Sequence, residues 1–132
     1  MHWTDRYLSC PYEAGARGPH AYDCWGQTRE VLMQGYGWPE LPAFGPVRGS
    51  NPEAMREAEA GLLPSLRLCQ PEDGALVAVY RRGALVHVGA VVEVDGRLLV
   101  LHTSIARGPR RDPLRLFQRA HFDVRFYRYA GH

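Results

Sequence analysis

The sequence predicts an α+β domain, with helices in its first half and an antiparallel sheet in its second. Three observations carry that expectation. Small and apolar residues at Cys24, Thr28, Val31, Leu32 and Gly35 keep helical spacing, so one stripe of this segment faces a core. After Pro71 the chain becomes rich in valine and leucine, cut by the turn pairs Arg82-Gly83 and Asp95-Gly96. Towards the end, Phe122, Val124 and Phe126 alternate with Asp123, Arg125 and Tyr127, the pattern of a half-buried strand. A chain of 132 residues suits one domain, residues 1–132, with a single core.

In order, a short helix is expected from Trp3 to Leu8, then a loop punctuated by Pro11, Gly15, Gly18 and Pro19. Asp23 suits the N-cap of a helix from Cys24 to Gln34, which Gly35 and Gly37 stop. The prolines between Trp38 and Pro46 predict an extended surface loop. Asn51-Pro52 reads as the cap and first residue of a second helix, ended by Gly61. Strands are expected over Ala75–Arg81, Leu85–Glu93 and Arg97–Thr103. Asp112-Pro113 should open a last short helix to about Arg119, before a strand over His121–Tyr129.

Composition excludes several classes. Apolar content of 45% argues against disorder, and a formal charge of +2 is too small to make nucleic acid the main partner. The basic residues are all arginine, a bias a GC-rich genome produces. Cys10, Cys24 and Cys69 are odd in number and form no Cys-x-x-Cys pair, which disfavours a disulfide framework or structural zinc. No basic-then-apolar leader opens the chain, and no apolar run approaches the roughly 20 residues that span a bilayer. Synthesis without a signal peptide, and no membrane insertion, are therefore expected.

Cys24, at the leading end of its helix, meets free N–H groups and the positive dipole end, which favour a thiolate nucleophile; a lone cysteine on the inner stripe of a helix also reads as a small buried hydrophobe. If Asp95-Gly96 is a two-residue hairpin loop, Val94 faces Arg97 and Gly89 faces His102. His87 then shares a face with His102, and the bare Gly89 leaves room between the imidazoles. One imidazole can take a thiol proton while a second polar group orients it. The arginines Arg107, Arg110, Arg111 and Arg115 read as a solvated basic face, with contact to an acidic partner or wall polymer as the alternative, and Cys10 and Cys69 as structural.

Pro11-Tyr12 and Tyr22-Asp-Cys-Trp-Gly26, then Gln70-Pro-Glu-Asp-Gly-Ala-Leu-Val77, His87-Val-Gly89 and Leu101-His102, resemble in order the motifs of the NlpC-type cell-wall cysteine peptidases. The downstream Gly37-Trp-Pro-Glu-Leu-Pro42 and the ending Phe126-Tyr-Arg-Tyr129 look most like the branch found in phage tails. The resemblance covers nearly the whole chain. It implies a papain-like fold with Cys24 as nucleophile, His87 as general base and His102 as orienting residue. Tyr12 would lie near the reacting carbonyl, beside an oxyanion hole that includes the Cys24 amide. The implied reaction is hydrolysis of amide bonds in peptidoglycan stem peptides, with no cofactor and no metal, by a protein made in the bacterial cytoplasm and mounted among phage-like tail-tip proteins. Gln27 and Ala75 depart from the family pattern, where an apolar residue and an aspartate are usual. An assembly component that keeps the fold with little or no activity is the alternative.

Overall fold

A computed structural model describes residues 1–44 and 52–131. A 3-10 segment, Trp3–Ser9, precedes helix α1 (Cys24–Tyr36) and helix α2 (Pro52–Leu62). Strands β1 (Leu66–Leu68), β2 (Leu76–Arg81), β3 (Ala84–Val94), β4 (Arg97–Ser104) and β5 (Gly108–Pro113) follow, then helix α3 (Leu114–Ala120) and strand β6 (Asp123–Tyr129). The strands form one antiparallel sheet in the order β1-β6-β2-β3-β4-β5. The α+β expectation holds: N-terminal helices pack on a six-stranded antiparallel sheet.

The local chemistry of α1 explains its limits. The Asp23 carboxylate accepts from the Gly26 amide at 2.7 Å, and Gly37 closes the helix in the left-handed region at φ 70°. Asp23 also accepts from Arg17 at 2.6 Å and from the Gly15 amide at 3.2 Å, tying the preceding loop to the helix start. Downstream, the Trp25 indole donates to the Pro42 carbonyl and Arg29 to that of Leu41, holding residues 37–44 across α1. The expected cap Asn51 lies outside the described residues, and α2 runs one residue past Gly61.

Alternation divides the sheet into two faces. Val88, Ala90, Val92, Leu101 and Tyr127 pack with Cys24, Val31 and Leu32 of α1 and Met55 and Ala58 of α2. Val77, Val91, Val100 and Phe126 face the other way and pack against Phe117 of α3. The hairpin register agrees with expectation: Val94 faces Arg97, and Asp95-Gly96 turns with φ of 52° and 77°, as a type I′ loop requires.

Three expectations need correction. Residues 108–113 form edge strand β5, so the last helix starts at Leu114 rather than at Asp112. Strand β1 is also additional to the expected elements. The closing strand begins at Asp123, which leaves Phe122 outside it and fully exposed, while Tyr127 is buried on the helix side. It is covered on both faces, not one: Phe126 packs in the cluster under α3 and Tyr127 in the cluster under α1 and α2.

Candidate functional site

Strand β4 presents His102 and Val100 on the α3 side, and β3 presents His87, Gly89 and Val91 there. A Cβ built on Gly89 would stand 3.0 Å from the His102 Cβ and 2.9 Å from the Leu101 carbonyl oxygen. The close approach of the two imidazoles therefore needs glycine at this position. His87 Nε2 lies 2.9 Å from His102 Nδ1, and His102 Nε2 lies 2.8 Å from Asp112 Oδ2. The other carboxylate oxygen of Asp112 receives Arg110 at 2.9 Å. Phe117 holds the His102 ring edge-on at 4.9 Å between centroids, which fixes its plane.

The chain of bonds sets the tautomers. An ionised Asp112 only accepts, so His102 donates through Nε2 and its Nδ1 carries the lone pair. His87 must then donate through Nε2, which leaves its Nδ1 as the nitrogen able to take a proton. Burial first, then the neighbouring His102 and His121, push the His87 imidazole down to about 3. His102 is lowered as well, chiefly by burial and against the pull of Asp112. Both rings are neutral near pH 7, and in this arrangement His87 holds a proton weakly.

A bulge distinguishes this part of β3. His87 faces Val79 and Leu85 faces Tyr80, so Val86 and His87 together oppose Val79. Both side chains reach the α3 side, where they line a cleft of about 670 Å3 with His102, Asp112 and Phe117.

Cys24 is placed elsewhere. It opens α1 as expected, but on the opposite face of the sheet, 5% exposed within the apolar cluster that holds Val88 and Trp25. Its thiol is hydrogen-bonded by backbone groups of Val88 and Trp25, and neither imidazole is bonded to it. Burial, then the Asp23 carboxylate, push the thiol up to about 11, against those amides and Arg17. The expected thiolate is thus not favoured here: desolvation outweighs the helix dipole. Tyr12 is half-buried in the loop before α1, where it bridges to Tyr22, and does not line the histidine cleft.

The structure therefore brings His87 and His102 together, adds Asp112, and leaves Cys24 and Tyr12 on the helix side. Asp112 went unread because Asp-Pro is a helix-opening signal; its two-residue phase with Arg110, opposite His102, was the clue available. The basic cluster is divided by strand alternation. Arg110 joins Asp112, whereas Arg111 crosses to the other face and pairs with Asp5 at 2.7 Å and Thr4 at 3.0 Å. The side-chain amide of Gln27 on α1 and the hydroxyl of Thr103 on β4 are buried with no hydrogen-bond partner among the described residues.

Among the described residues no group of histidine, cysteine and carboxylate side chains is arranged to hold a metal, and no helix is long and apolar enough to cross a membrane. No family model, curated protein or solved structure matches the chain.

Proposed function

We propose that the chain is a papain-like cysteine peptidase of the NlpC type, which hydrolyses amide bonds of peptidoglycan stem peptides from within a phage-like tail tip. The ordered motifs support this reading, and one structural observation carries it. The Cys24 thiol, in the first turn of α1, rests on the backbone of Val88, the residue next to His87.

Thiol chemistry requires His87 on the helix side of the sheet. The bulge supplies the smallest such move. If it shifts one residue, so that His87 and Val88 together oppose Ala78, Val86 still faces Val79 and Gly89 still faces Val77. Only His87 changes face, and it arrives beside the sulfur. The thiol proton then passes to the imidazole and sulfur attacks the amide carbonyl. The imidazolium returns the proton to the leaving amine, and water hydrolyses the thioester. In the register described, His102 and Asp112 hold His87 away from the sulfur.

The enclosure of Cys24 and its raised thiol favour a second reading, an assembly component of a tail-like particle that is weakly active or inactive. Incubation with purified stem-peptide fragments separates the two. New free amines, abolished by Cys24→Ala and by His87→Ala, are the expected result. Absence of turnover in the unmodified chain, or turnover that survives Cys24→Ala, refutes the thiol mechanism.

A further inference from the structure

The face of the sheet away from Cys24 carries a second chemical feature. Its cleft is walled by apolar groups, among them Val86 and Phe117, yet its mouth is cationic. Arg81 closes β2 and Arg107 lies in the β4–β5 turn; both are exposed, and no ion pair engages either guanidinium among the described residues. Among the described residues Asp112 is the sole carboxylate of the lining, and both of its oxygens are occupied, by His102 and Arg110. Nothing in the cleft therefore neutralises Arg81 and Arg107.

Guanidinium groups pair with planar and tetrahedral oxyanions through parallel N–H bonds, and they do so best at the edge of a low-dielectric wall. A cavity of about 670 Å3 lies in the size range of small-molecule sites. We propose that this cleft binds an organic oxyanion, a carboxylate or a phosphate ester, whose apolar body lies against Phe117 and Val86 and whose charged end meets Arg81 and Arg107. The site lies across the sheet from the thiol and goes beyond the peptidase reading.

Phenylacetate, phenyl phosphate and the neutral phenylacetamide test this with the full chain. The ring-proton signals of His87, His102 and His121 report occupancy, since all three line the cleft. At least one of the two anions should shift these signals saturably and at least tenfold more tightly than the amide, and the tighter anion identifies the class. The double variant Arg81→Ala/Arg107→Ala should lose that preference. Arg115→Ala, which removes an exposed arginine outside the lining, should keep it. Equal binding of amide and anions, no saturable shift with any probe, or an unchanged preference in the double variant overturns the proposal. Hydrogen exchange on the double variant confirms that it is folded, so a lost preference reads as a lost site.

Discussion

The buried imidazole of His87 should make the protein acid-labile in a way one substitution removes. In the unfolded chain a histidine takes a proton near its ordinary value of 6.5, whereas in the fold burial holds His87 down to about 3. Between those values the unfolded state binds one more proton than the folded state, so stability falls as pH falls and is restored as pH rises. The full window spans about 3.5 units at about 1.4 kcal/mol each, and at pH 4.5 some two units are in play, so His87 alone costs about 3 kcal/mol there. Urea unfolding at pH 7 and pH 4.5 measures it. His87→Gln places an amide donor where His87 Nε2 meets His102 Nδ1 and cannot be protonated, so its stability should fall less between the two pH values by about that amount. Parallel losses in the two proteins would refute the assignment of a buried, neutral imidazole. His102 and His121 are also lowered, each by burial first, but they are common to both proteins and largely cancel in the difference.

Other consequences follow from neighbouring contacts. Iodoacetamide at pH 7.5 should label the half-buried Cys10 well before Cys24, whose enclosed thiol reacts only when its cover opens; mass spectrometry of timed samples reads the order. Asp23→Ala removes the α1 cap and the buried carboxylate that Arg17 pairs with, and should cost about 3–5 kcal/mol by urea unfolding, with Asp23→Asn costing less because it still caps. Gln27→Met removes two unpartnered polar atoms at nearly constant volume and should raise stability by about 1–3 kcal/mol, which a thermal melt detects. Gly89→Ala drives a methyl against the Leu101 carbonyl and His102, so it should cost about 1–3 kcal/mol and disturb the ring signals of both histidines.

The hairpin was legible because its turn is specified locally. Asp95-Gly96 admits the left-handed backbone of a type I′ loop, and once that loop is fixed the period of two sets every facing pair back to Ala90 and Leu101. The pairing of His87 with His102 followed from the same count. Helix α1 was legible for a similar reason, since its cap and its stop lie within a few residues of its ends.

What was not legible is which face of the sheet α1 covers. β3 is apolar on both sides, with Val88, Ala90 and Val92 on one and Val91 on the other, so its pattern favours neither layer. The separation of Cys24 from the imidazoles is a consequence of that choice. β5 escaped notice because Gly-Pro-Arg-Arg-Asp-Pro has almost no strand character; its pairing with β4 comes from tertiary context. With β5 unread, Asp112 could not be placed beside His102.

The two borders of the sheet also govern how copies of this chain can meet. On one side Pro109 and Pro113 supply no N–H, so an incoming strand would find two of its acceptors unanswered along β5. On the other, β1 offers a ledge only three residues long. Growth by strand addition is thereby discouraged at either margin, and fibrous association through the backbone is guarded against by the covalent chemistry of proline and by sheer brevity.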